Sequence, residues 1–184
     1  MIIKKEFNFY AGVHISDTYY INSYNMECSF VNTDNSDYAE MSVAIDRIEH
    51  FIYRVLQHSV IISEEHTSAI KKYKAAGINI CELPIDPLDE ILASILILKI
   101  NAILEGKIKL INMALDSHMS EGMRFVIAPE EIKSLSYNGN HFWWNKSNLC
   151  MSKLNKSNVD NVVKLFDGSK EWEQLGLSWA SKKQ

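Results

Sequence analysis

Glycine and proline are scarce, seven and three among 184 residues. So few breakers leave no flexible or low-complexity linker, which argues against a string of loosely tethered modules. Basic residues are outnumbered 23 to 19, giving a formal charge of -4. That balance argues against a nucleic-acid binder working through bulk positive charge. Three cysteines, Cys28, Cys81 and Cys150, are too few and too far apart for a closed disulfide framework or a CxxC metal or redox pattern, and are expected to be reduced thiols. No apolar run reaches the roughly eighteen residues of a membrane span. The longest, Ile91 to Leu104, is interrupted by Ser94, Lys99 and Asn101 and reads as a buried helix. The opening MIIKKEFNFYAG lacks the apolar stretch and small-residue cleavage site of a secretory signal, so a cytoplasmic protein is expected.

What is present suits one globular unit with a real core, 47% hydrophobic and 23% charged. Phe7, Phe9, Ala11 and Val13 alternate with Glu6, Asn8, Tyr10 and Gly12, the period of a strand with one buried face. A second strand is read over 25–33, with Met26, Cys28 and Phe30 on one face. The polar, aromatic stretch between them, 16–24, reads as a wide loop. The period then becomes helical over 42–58, with Ile45, Ile48, Ile52, Val55 and Leu56 on one side. Ser63 would cap a short polar helix ended by Gly77. Asp86 as N-cap and Pro87 at the first helical position would open a second long helix reaching Glu105 and stopped by Gly106. Two further strands, 107–115 and 123–128, flank the polar loop 116–122. Strand, strand, helix, short helix, helix, strand, strand is an α+β pattern with hairpin-type pairing. Beyond Pro129 the chain reads as an extension. Asn138-Gly139 suggests a hairpin leading into the aromatic cluster His141-Phe142-Trp143-Trp144, and a last helix would start at Ser157 with Val159, Val162, Val163 and Phe166 inward.

Four signals in this order resemble the 6-pyruvoyl-tetrahydropterin synthase and 6-carboxy-tetrahydropterin synthase family, whose tunnelling fold is a ββααββ unit. FNFYAGVHIS is similar to the family's first strand, and His14 matches its first zinc-ligating histidine. AIDRIEHFIYRVLQHSVII resembles the family helix that opens with an Asp and closes with a His, matched here by Asp46 and His58. DPLDEILASIL resembles the start of the second long helix, with Glu90 matching the family's Glu. Asp116 stands nearest the family's ring-binding Glu after the third strand. The resemblance covers roughly residues 5–128. It implies domain bounds of 1–128 for the tunnelling-fold unit and 129–184 for an extension packed on it.

Two departures bear on the chemistry. Met26-Glu27-Cys28 stands where the family carries His-Gly-His, so His14 and Cys28 supply two candidate zinc ligands where such sites normally have three or more. Gln57 replaces the carboxylate that partners the catalytic His, leaving His58 less well oriented for proton transfer. The resemblance implies a homo-oligomer that binds a purine- or pterin-like molecule at a subunit interface. Asp116 and Glu90 would hold the ring, His58 and Asp46 would act in any lyase chemistry, and His14 and Cys28 would face a zinc ion. The alternative from another class is a non-catalytic binding or sequestering oligomer without the metal. A third is an interaction protein that docks a partner through its aromatic C-terminal region.

Overall fold

The computed structural model describes residues 1–32, 38–134, 142–152 and 172–179. The hairpin expected at Asn138-Gly139 and the helix expected from Ser157 lie outside these residues. Strand β1 (Ile2–Ile15) buries Phe7, Phe9, Ala11 and Val13, as its alternation requires. It turns directly into β2 (Thr18–Asn32) through Ser16 and Asp17, whose φ angles of 49° and 64° are those of a tight two-residue turn. The expected wide loop is therefore strand. The Tyr, Thr and Ile residues of 18–24 have strong β propensity even though their pattern shows no clean apolar face.

Helix α1 (Tyr38–His50) continues through a π turn (Phe51–Val55) and a 3-10 turn to His58. The chain then departs from the expected order. Ser59–Ser63 forms β3, which pairs in parallel with β1, and Asn79–Leu83 forms β4, parallel to β3. Parallel neighbours need a crossover, supplied by helix α2 (Thr67–Ala75). Ser63 thus ends a strand instead of capping a helix, although its hydroxyl still accepts from the Glu65 amide at 3.3 Å. Helix α3 (Asp89–Leu104) has Leu88 as its N-cap, two residues past the expected start, and ends at Glu105 in the left-handed region. β5 (Ile108–Ser117) and β6 (Arg124–Ile127) complete a six-stranded mixed sheet of order β4-β3-β1-β2-β5-β6. The class is α+β. The ladders β1-β2, β2-β5 and β5-β6 are antiparallel, and β3-α2-β4 extends the sheet beyond β1. No helix among the described residues is long and apolar enough to cross a membrane.

The main core lies between one sheet face and helix α1, its π turn and α3, whose residues Ile48, Phe51, Ile52, Leu96 and Ile100 are fully buried. A smaller cluster of Val60, Ile62, Ile70 and Ile80, with Tyr73 against it, packs α2 on the opposite face. Alternation along β3 requires this, since Ile61 joins the main core while its neighbours turn away. Described parts of the region after Pro129 belong to the main core: Trp143, Trp144, Leu149, Met151 and Trp172 are buried in it. Trp143–Asn145 is a 3-10 turn, not a strand, and Phe142 stacks on Trp144 with centroids 4.5 Å apart. β3 occupies the outer side of β1, and the Glu82 amide of β4 donates to the Met151 carbonyl at 2.8 Å.

Two buried cations tie these segments together. Arg47, 1% exposed, lies between the rings of Trp172 and Trp179 at 4.9 and 4.2 Å and donates from Nε to the Leu177 carbonyl at 2.7 Å. Lys99 is fully buried in α3 and donates to the carbonyls of Trp143, Lys146, Asn148 and Cys150. Burial pushes its ammonium down to about 7. An unfolded lysine holds its proton up to its ordinary 10.5, so between these values the unfolded state binds more protons and stability rises with pH. Lys99→Met leaves four inward carbonyls without their hydrogen-bond donor and is expected to cost about 2–4 kcal/mol near neutrality. Urea unfolding at stepped pH checks both effects. The wild-type rise between about pH 7 and 10.5 should flatten in the variant, and an unchanged slope would refute the assignment.

Candidate functional site

The side chains that converge outside the core do so at the turn end of β1. His14 is even-numbered on a strand whose odd residues face the core, so its ring points to the α2 side. Packing against α2 leaves it only 7% exposed. Its Nδ1 is 3.1 Å from the Tyr73 hydroxyl of α2, and its ring meets the His66 ring edge-on with centroids 5.0 Å apart. His66 immediately precedes α2, its Nε2 3.3 Å from Oδ1 of Asp86 and its Nδ1 3.8 Å from Oδ1 of Asp17. Asp17 belongs to the β1–β2 turn and tolerates its left-handed backbone as Asp and Asn commonly do. Burial first, and His66 second, hold the His14 imidazole below its usual value. One donor atom from each of His14, Asp17 and His66 lies within 4.8 Å of the others. The Nε2 of His14 is buried without a hydrogen-bond partner, a condition that ordinarily costs about 1–3 kcal/mol.

Tyr73 also walls a cleft of about 500 Å³, together with Tyr10, Gly12, Tyr19, His58 and Val60. Gly12 is what lets the Tyr19 ring lie against β1. A Cβ built there would stand 2.7 Å from Cε2 of Tyr19. The cleft therefore joins a strand surface, the end of the 3-10 turn and one side of α2, with three tyrosines and a histidine around it.

Of the residues singled out in the sequence, His14 and His58 are both drawn toward this region, and Tyr73 connects them. Cys28 is not. It lies fully buried on the core face opposite His14, pairs with Lys5 in the ladder, and has a thiol pushed well above its usual range by burial. Nine residues of β1 separate Lys5 from His14, about 30 Å of strand. Asp46 is exposed on α1 and does not line the cleft that His58 lines. Asp116 is on β5, 3.5 Å from Nε of Arg124, and faces Asn25, which pairs with Asn8. Six residues of strand, about 20 Å, separate that row from His14. Glu90 is exposed, whereas its neighbour Asp89 turns inward and accepts from the Ser117 hydroxyl at 2.5 Å. Burial raises the Asp89 carboxyl above its usual value.

Asp17, His66 and Tyr73 were not singled out by the sequence reading, and Asp86 was read only as a helix cap. The available signal was slight: an Asp in a stretch read as loop, and a histidine just ahead of a short polar helix. Compared with known proteins, the chain matches no family model and no curated sequence. The arrangement itself yields a prediction. Tyr73→Phe removes the partner of His14 Nδ1 and should cost about 1–2 kcal/mol in urea unfolding with an unchanged m-value. A variant as stable as the wild type would show that this hydrogen bond contributes nothing.

Proposed function

We propose that this chain is a divergent tunnelling-fold protein that binds a planar, purine- or pterin-like small molecule in the cleft beside His14. The observation that carries the reading is the cleft, since its three tyrosines offer faces on which a flat heteroaromatic ring can stack. Topology supports it too. β1, β2, β5 and β6 are antiparallel neighbours in chain order, and α1 and α3 come between β2 and β5, the ββααββ arrangement implied by the resemblance. Gln57 and His58 in the lining of the cleft would bring hydrogen-bonding groups to a ring edge. Binding is favoured over lyase chemistry because Asp46 does not line the cleft beside His58. Asp116 and Glu90 lie outside the cleft, so in this reading they contribute only from a second copy across a subunit interface.

Calorimetric titration with neopterin and with guanosine, beside a ribose control, tests the proposal. At least one ring compound should bind and ribose should not. Tyr73→Ala should weaken binding about tenfold or more, as the loss of roughly 1–3 kcal/mol of ring stacking implies. Gly12→Ala should displace only the far end of the Tyr19 side chain. It should therefore weaken binding while barely moving the thermal midpoint. No binding of either ring compound, or binding untouched by both variants, would sink the reading.

A further inference from the structure

We infer that His14, His66 and Asp17 form a binding site for a first-row divalent transition ion such as Zn²⁺. The inference is independent of the ring-binding proposal, because it concerns donor atoms beside the cleft rather than its aromatic walls. Two of the three residues come from the β1–β2 turn and from the connection between β3 and α2. Neither belongs to the His14 and Cys28 pair that the resemblance implies.

Three observations support it. The first is donor chemistry. Two imidazoles and a carboxylate are a set that Zn²⁺ accepts with a fourth position left for water or another ligand. The second is the buried His14 Nε2, which has no protein partner while Nδ1 is engaged by Tyr73. A neutral imidazole that donates from Nδ1 to the Tyr73 oxygen presents a bare Nε2 lone pair, the form in which histidine binds metals. The third is the arrangement behind the ligands. His66 Nε2 is 3.3 Å from the Asp86 carboxylate, which accepts a hydrogen bond from it in the tautomer that leaves Nδ1 bare toward Asp17. Metal-bound histidines are characteristically held in this way, with the second ring nitrogen donating to a carboxylate or another oxygen. Here both histidines have such a partner.

The spacing is that of a site before closure. Zn–N and Zn–O bonds of about 2.0–2.1 Å place tetrahedral ligands roughly 3.3 Å apart. Nδ1 of His66 and Oδ1 of Asp17 are 3.8 Å apart, and the donor atoms as a group span up to 4.8 Å. Asp17 takes up the difference most readily, since its side chain is 95% exposed on a two-residue turn, whereas His14 is held by packing.

The test uses the full chain and the metal alone, with no organic ligand, so its outcome does not depend on the ring-binding proposal. After chelation and dialysis, the protein is titrated with Zn²⁺ in competition with a chromophoric chelator, and Co²⁺ is added to a parallel sample. One ion per chain is expected, with the intense visible bands of tetrahedral Co²⁺. His66→Ala should weaken Zn²⁺ affinity at least a hundredfold, and Asp17→Asn about tenfold or more. Asp86→Asn should weaken it about 10–100-fold through the lost partner of His66. Cys28→Ser should leave it unchanged. Circular dichroism of His66→Ala and Asp17→Asn, both altered at partly or fully exposed positions, establishes that they fold. Absence of stoichiometric binding at micromolar Zn²⁺ would overturn the inference. So would binding that persists in folded His66→Ala, or binding lost in Cys28→Ser that keeps the wild-type circular dichroism spectrum.

Discussion

The buried Nζ of Lys99 holds together, through hydrogen bonds to main-chain carbonyls, parts of the chain that share no sequence neighbourhood. Helix α3 is apolar on nearly all sides and needs cover on the flank away from the sheet. The segment around 143–151 supplies that cover, and its carbonyls turn inward onto Lys99. An irregular segment buried against a helix would otherwise leave those carbonyls unsatisfied, which is why such segments seldom lie in a core. The same segment reaches β4 through the Met151 carbonyl and through Trp143 Nε1, which donates to the Glu82 carbonyl at 2.8 Å. β4 in turn flanks β3, and the crossover between them carries His66 and Tyr73. One buried hydrogen-bond donor therefore supports the candidate site from the far side of the sheet.

The site also depends on a turn too tight to move β2 away from β1. With only Ser16 and Asp17 between the strands, Tyr19 lies directly opposite His14 and its ring crosses Gly12. A longer connection would free both Asp17 and Tyr19. The β3-α2-β4 unit closes the other side, because a parallel crossover places its helix on one sheet face, and here that is the face turned away from α1 and α3. His14 is thus buried on what would otherwise be the open side of an antiparallel sheet.

End signals and an apolar run made α3 legible in the sequence, and strong periodicity did the same for β1 and α1. Missing it hid β3 and β4. Ser59–Ser63 is buried at every position, so it shows no alternation, and it follows α1 so closely that its apolar residues read as a continuation of the helix. Asp86-Pro87 has the form of a helix start, yet the Asp86 carboxylate faces His66 and the helix begins after Leu88. Lys99 read as an interruption of an apolar run, because the carbonyls around it come from more than forty positions later. For the site, His14 stood out by its match to the resembled family's first zinc-ligating histidine, and Cys28 was correctly put on the core face. That placement removes it from His14, a consequence of strand parity that was already in the sequence. Asp17 and His66 could not be joined to His14 without the parallel crossover, which no local pattern announced.

Tyr73 makes the cleft and the imidazole pair parts of one system. Its hydroxyl meets His14 Nδ1, and its ring walls the cavity. A ring compound that shifts the tyrosine on entering the cleft changes the hydrogen bond that sets the His14 tautomer. An ion on Nε2 favours the tautomer with its proton on Nδ1, directed at the Tyr73 oxygen, and so restrains the ring from the other side. Linkage makes this influence reciprocal, since whatever factor the ion applies to ring affinity the ring must apply to ion affinity. If both proposed ligands bind, their coupling would run through the His14–Tyr73 hydrogen bond of 3.1 Å. Its size is therefore bounded by what one such bond contributes, about 0.5–1.5 kcal/mol, or roughly a two- to twelvefold mutual effect.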